Sequence, residues 1–252
     1  MPLMPLQPVN RKSLADEVFQ QLTRGIVQGD MAPGAPLPSE RELTEILGVS
    51  RGAVREALQR LAQARLIQIR HGGVTRVLDY RQSGGLELLA HLLLRPDGGI
   101  DVEAGRGVLE MRAVLVPDMA RRCAERAGAA ERAGLRHAVG AMEAAGDDLE
   151  ALQDLALRFF EILVRGSCNL AYQLALNTLR RAYDPIRGVL VNVMADELRA
   201  LDDYRAIARA VERGDGAGAA SAACALIEKG TGKLLRMLAA LERLGSSKAE
   251  KP

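Results

Sequence analysis

Two arginines one helical turn apart, Arg51 and Arg55, follow directly on Ser50. A serine there can cap a helix start, where free backbone N–H groups and the positive dipole end attract anions. Residues at i and i+4 share one face. Each guanidinium offers two parallel donors that match guanine O6 and N7 in the DNA major groove, a pairing worth roughly 1–3 kcal/mol of discrimination. Between positions 51 and 76 six arginines (Arg51, Arg55, Arg60, Arg65, Arg70, Arg76) face the single acid Glu56, in a chain whose formal charge is only +2. Charge alone does not separate a binding stripe from a solvated face; position on the fold decides. On that ground Arg51 and Arg55 are expected to touch DNA. Arg60 and Arg65 are expected to be solvated, and Arg70 and Arg76 to reach phosphate at most.

A second set of polar residues stands among apolar ones. Arg112 shares its helical face with Val108, Leu115 and Val116. A buried unpaired charge costs several kcal/mol, so either an internal carboxylate or a bound anion must answer it. Asn177 lies on the spacing of Leu170 and Leu174, and Tyr204 on that of Leu201 and Ala208. Both are satisfied inside the protein or line a pocket. Phe159 and Phe160 are expected in the core. Three histidines and three dispersed cysteines make a His-rich metal centre and a disulfide framework improbable. GxSxG, Walker, HExxH and CxxC motifs are missing, and Asp147-Asp148 and Asp202-Asp203 stand where helix N-caps are expected, so no enzyme is read here.

The elements that must position these residues follow from periodicity and breakers. Ser13 can cap a first helix with Leu14, Val18, Leu22 and Ile26 on one stripe, ending near Gly29. After the loop GDMAPGAPLP, Ser39 and Glu42 form a capping box for a second helix with Leu43, Ile46 and Leu47 facing inward, stopped by Gly48. Ser50 opens a third, with Val54, Leu58 and Leu61 as its core stripe and Arg51, Gly52, Arg55 and Gln59 on the neighbouring face. Two short helices joined by a glycine turn make a helix-turn-helix. LIQIR and VTRVL then alternate about a Gly-Gly turn as a two-stranded wing whose tip, His71-Gly72-Gly73, is slim enough for the minor groove. Residues 1–80 carry ten basic and eight acidic side chains and residues 81–252 carry 24 of each, so the whole excess lies in this first part.

From Leu86 onward the chain is rich in Ala, Leu and Arg and reads as helices near 85–94, 101–127, 130–145, 148–166, 170–192, 195–213 and 216–243. The fold class is therefore mostly α: a winged helix-turn-helix over 1–79, a linker over 80–85, an all-helical bundle over 86–245 and a disordered tail over 246–252. No stretch approaches the roughly 18 uninterrupted apolar residues of a membrane span and the first residues lack a signal-peptide core, so no membrane and a cytoplasmic location are expected.

LPSERELTEILGVSRGAVREALQRLAQARLIQIRHGGVTRV, from Leu37 to about Val77, resembles without a gap the DNA-binding domain of the GntR family of bacterial transcription regulators. The resemblance implies DNA contacts from Arg41, Ser50, Arg51, Gly52, Ala53, Arg55, His71 and Gly72. Hydroxyl residues are frequent in the family where this chain has Gly52 and Ala53. VLEMRAVLVPDMARRCAE and LQDLALRFFEILVRGSCNLAYQLALNTLRRAY resemble the effector domain of the FadR subfamily. Most of that subfamily holds a metal through an Asp and three histidines. The matching positions here are about Ala156, Phe160, Tyr204 and Leu226, poor ligands for a divalent cation. The resemblance therefore runs to the metal-free branch, where the matching arginine, Arg112, meets an acyl-CoA ligand, although the last helix here has Leu226 and Leu234 for that branch's aromatic residues. It implies a homodimeric repressor on an inverted-repeat operator, with no metal or cofactor. An acyl-CoA, fatty acid or other organic acid, bound near Arg112, Asn177 and Tyr204, would release it. The alternatives are a DNA-binding dimer without effector binding and a carboxylate sensor of the metal-dependent branch.

Overall fold

The computed structural model describes residues 14–70, 72–95 and 99–249, with side chains to 243. It divides into two compact units between His91 and Leu92. Ser13 and His71 lie outside the described residues. Among those described, no helix is long and apolar enough to cross a membrane.

The first unit runs α1 (Leu14–Val27), α2 (Glu40–Leu47), α3 (Arg51–Gln63), β1 (Ile67–Gln68), β2 (Arg76–Val77) and α4 (Tyr80–Ser83), then a 3-10 turn (Leu86–Leu88) and α5 (Leu89–Leu92). Val18, Leu22 and Ile26 of α1 pack with Val54, Leu58 and Leu61 of α3, all 5% exposed or less; Leu14, at the start of its stripe, is 54% exposed. The capping box forms: the Glu42 carboxylate accepts from the Ser39 N–H at 2.7 Å while Ser39 Oγ accepts from the Glu42 N–H. Ile46 departs from expectation at 69% exposed. An eight-residue helix offers a narrow inner edge, which Leu43 fills.

The wing is shorter and better braced than the alternation suggests. Among the described residues only Ile67↔Val77 and Gln68↔Arg76 pair across the wing, so the Gly-Gly turn closes a longer loop. The other edge of β2 holds the segment before α2: Leu37 N–H donates to Thr75 O, Gly34 N–H to Val77 O and Val77 N–H to Ala35 O, each at 2.9–3.0 Å. The stretch expected as a linker opens with α4, capped by Asp79, and Ser83 Oγ donates to Arg65 O at 2.8 Å, so this segment is tied to the first unit.

The second unit comprises α6 (Val102–Arg126), α7 (Ala129–Ala145), α8 (Leu149–Gly166), α9 (Leu170–Tyr183), a 3-10 turn (Asp184–Ile186), α10 (Arg187–Val193), α11 (Ala195–Leu198), α12 (Leu201–Arg213) and α13 (Gly216–Ala249). Caps fall on polar breakers: Asp101, Asp148 and Asn169 accept first-turn N–H groups of α6, α8 and α9. Gly214 closes α12 in the left-handed region. Two expected helices are each broken. Pro185 has no N–H to continue α9, and the chain tightens to a 3-10 turn. At Ala200 (ψ 54°) the backbone leaves helical geometry, isolating the four-residue α11. Asp202 and Asp203 sit inside the first turn of α12, with Ala200 at the cap position. The last helix extends to Ala249, into the expected tail.

Candidate nucleic-acid interface and effector cavity

In the first unit Ser50 caps α3 by accepting the Ala53 N–H at 3.3 Å. Arg51, Gly52 and Arg55 are exposed at that end, and Ala53 is half-buried. A Cβ at Gly52 would meet only Ser50 Oγ, at 3.8 Å, so the fold does not itself demand glycine there. Arg41 is exposed in the first turn of α2. Arg55 is not free: its Nη2 lies 3.1 Å from Glu40 Oε2, and that hydrogen bond raises the guanidinium pKa further. Gly72 is exposed with φ +72°, a conformation that suits glycine at a wing tip.

The other arginines separate by contact. Arg60, expected to be solvated, is half-buried: it pairs with Asp16 and its guanidinium lies 4.6 Å over the Phe19 ring, which meets His91 edge-on at 5.2 Å. Burial pushes the His91 imidazole pKa down, and the Arg60 charge adds to that. Arg60 is thus a packing residue between α1 and α3, a role invisible in helical spacing because Asp16 is 44 positions away. Arg65 and Arg70 are exposed. Arg76 donates to Gly34 O at 2.8 Å, bracing the wing.

In the second unit two adjoining cavities, about 110 and 140 Å³, share Val108, Arg112, Leu179, Tyr183 and Met194. The smaller extends to Leu93, Ile100, Leu234 and Leu238, the larger to Gln153, Ala156, Phe160 and Leu198. The anion that Arg112 requires is internal: Nη1 donates to Glu197 Oε2 at 3.0 Å and Nη2 to Oε1. The Glu197 side chain is 1% exposed and fits against Gly230, where a Cβ would collide with its carboxylate. Burial works against the Arg112 charge, but the Glu197 carboxylate outweighs it and keeps the guanidinium protonated. Arg112 also lies 5.6 Å from the Phe160 ring.

Around this pair Gln153 Nε2 donates to Tyr183 Oη (2.5 Å) and to Arg187 O (3.0 Å). Burial pushes the Tyr183 hydroxyl up to about 12. Tyr204 is wholly buried against Phe159, with ring centroids 5.1 Å apart, and its hydroxyl has no hydrogen-bond partner among the described residues. Burial raises its pKa well above the phenol value.

Of the three expected effector residues, Arg112 lines both cavities and Tyr204 packs behind Phe160. Asn177 does not join them. It is exposed on the outer face of α9, accepting from Gln173 at 3.0 Å, with Leu170 and Leu174 beside it at 74% and 57% exposure. The inner face of α9 carries Leu176, Leu179 and Tyr183 instead. Both faces are apolar, so spacing could not choose between them. Glu197 was missed because it sits among helix breaks in MADELRA, where an acid reads as solvated. Ala156, Phe160, Tyr204 and Leu226 all lie within the bundle. Among the described residues no group of three or more His, Cys, Asp and Glu side chains could hold a metal ion.

The model described as "Bacterial regulatory proteins, gntR family" matches residues 14–77, and the FCD domain model matches residues 107–229. The HTH-type transcriptional regulator Mce2R of Mycobacterium tuberculosis is 39% identical over 235 residues, covering 93% of this chain and 97% of that one. The galactonate operon transcriptional repressor of Escherichia coli is 29% identical over 223 residues, 87% of this chain and 96% of its own. The solved structure of Lar, described as controlling expression of the Listeria monocytogenes agr system, has 17% identity and a TM-score of 0.55 over 90% of this chain and 99% of that one; it shares the fold.

Proposed function

Since the chain belongs to the gntR family of bacterial regulatory proteins, of the FadR-like kind that joins a DNA-binding helix-turn-helix to an FCD domain, we propose that this transcriptional regulator is a cytoplasmic homodimeric repressor on an inverted-repeat operator. Twofold symmetry of the protein requires matching half-sites. A small molecule in the two-lobed cavity, bound without metal, weakens DNA binding, and the reciprocal coupling is typically ~1–3 kcal/mol. The name of the E. coli relative, a repressor, supports the direction of control.

The observation that carries the DNA reading is the capped start of α3, with Ser50, Arg51 and Gly52 exposed at a helix N-terminus and Arg55 one turn on. Arg51 and Arg55 face the base edges. Ser50 and the first-turn N–H groups take phosphate, Gly52 and Ala53 let the backbone approach closely, and Arg41 and Gly72 flank the groove contact; a DNA contact from His71 rests on the family resemblance alone. Operator duplexes selected from a random pool, measured by fluorescence anisotropy, test this. Arg51→Ala should lose roughly 5- to 150-fold in affinity, the equivalent of one bidentate base contact, and relax preference at one base pair. Unchanged affinity and preference would remove α3 as the recognition element. On the effector side, the observation is the pair of cavities around Arg112, Tyr183 and Leu179.

A further inference from the structure

We propose that the two-lobed cavity takes an uncharged, lipid-like molecule, an apolar frame bearing one neutral oxygen such as an ester, ketone or alcohol, in preference to a carboxylate. The inference rests on the cavity being the effector site and adds the charge its ligand must have. Arg112, the cation shared by both lobes, has its guanidinium held in two places by Glu197. Seen from the cavity the pair is neutral. A competing carboxylate would have to expel Glu197, whose side chain is 1% exposed and closed in against Gly230. It would otherwise add a second negative charge beside the first in a low-dielectric interior, and both routes leave a buried charge uncompensated.

The remaining polar wall is likewise self-satisfied. Arg180 of the larger lobe is paired with Glu161. Gln153 gives its amide hydrogens to Tyr183 Oη and Arg187 O, while its carbonyl accepts from Arg187 Nε at 3.3 Å. Val108, Leu179, Leu190, Met194, Leu234 and Leu238 present hydrocarbon and thioether. Such a site rewards apolar area and penalises any charge that must leave water. One donor is poorly used: the Tyr183 hydroxyl, at the junction of the lobes, offers its proton to Met194 Sδ at 3.7 Å. Thioether sulfur is a weak acceptor, so a ligand carbonyl or hydroxyl oxygen would take that hydrogen bond.

Calorimetric titration of the full chain at pH 8 with methyl dodecanoate and 1-dodecanol below their aqueous solubility limits and dodecanoate below its micellar concentration, with the protein in the syringe, tests this. The ester and the alcohol should bind at least ten-fold more tightly than the carboxylate of the same chain length. Dodecanoate binding as tightly as the ester, or more tightly, would overturn the inference while leaving the effector site standing. If none of the three binds, the effector-site reading falls and this inference with it. Glu197→Gln unmasks Arg112 and should shift the ester-to-carboxylate preference at least ten-fold towards the carboxylate; an unshifted ratio would refute the masking. Should that variant not fold, Tyr183→Phe should weaken the ester about ten-fold more than it weakens dodecane, and equal losses would count against the proposed oxygen contact.

Discussion

Breaking the Arg112–Glu197 pair tests the centre of the helical unit. The two side chains are 16% and 1% exposed, so little solvent screens them. Glu197→Met leaves the guanidinium buried with the Phe160 ring, 5.6 Å away, as its remaining electrostatic company. A cation–π contact supplies about 0.5–2 kcal/mol and cannot replace two charge-assisted hydrogen bonds. Removing one partner of a buried pair costs about 3–5 kcal/mol. For a unit of this size each kcal/mol shifts the midpoint by roughly 2–4 °C, so the transition should fall by about 6–20 °C. Arg112→Met alone should cost as much, because it strands a carboxylate. The double variant removes both charges and fills the space with thioether, and should lose less than about 2 kcal/mol. The coupling energy then exceeds ~4 kcal/mol, against the ~0.5 kcal/mol expected of independent sites. Calorimetric melts of the four proteins at pH 7 measure the cycle. Single variants within ~1 kcal/mol of the parent, or a double variant no more stable than either single, would refute the reasoning.

Three further outcomes follow from geometry already described. Ser39→Ala removes the capping box of α2 and should destabilise the DNA-binding unit by ~1 kcal/mol in chemical melts; a neutral result would mean the cap is redundant. Tyr204→Phe deletes a buried hydroxyl without a partner, so stability should stay level or rise by up to ~1 kcal/mol, whereas a comparable loss would reveal a partner for that oxygen. Glu40→Gln frees Arg55 and removes a negative charge near the DNA face, so operator affinity should rise a few-fold at low salt, with the gain shrinking as salt is added; a fall in affinity would assign Glu40 a positioning role instead.

How much was legible depends on how locally each feature is encoded. The helix starts at Ser39, Ser50 and Asp148 were readable, because a cap is a bond across three residues. Helix α3 was readable for the same reason: its cap, its inward stripe and its outward arginines lie within two turns. The break at Pro185 could have been read from the missing N–H. By contrast Ile46 and Asn177 were misassigned, since an apolar neighbour at i+3 or i+4 predicts a shared face without saying which face the rest of the molecule covers.

The sequence by itself determined the winged helix-turn-helix, the run of helices after it and the need of Arg112 for an anion, because periodicity, caps and charge cost are properties of short segments. Tertiary structure alone decided what answered that need. Glu197 is 85 positions from Arg112 and meets it only because a four-residue helix between two breaks folds back against Gly230. Arg60 likewise became a packing residue only when α3 lay on α1. In each case a charge finds its counter-charge across the core, and separation along the chain carries no trace of that distance in space.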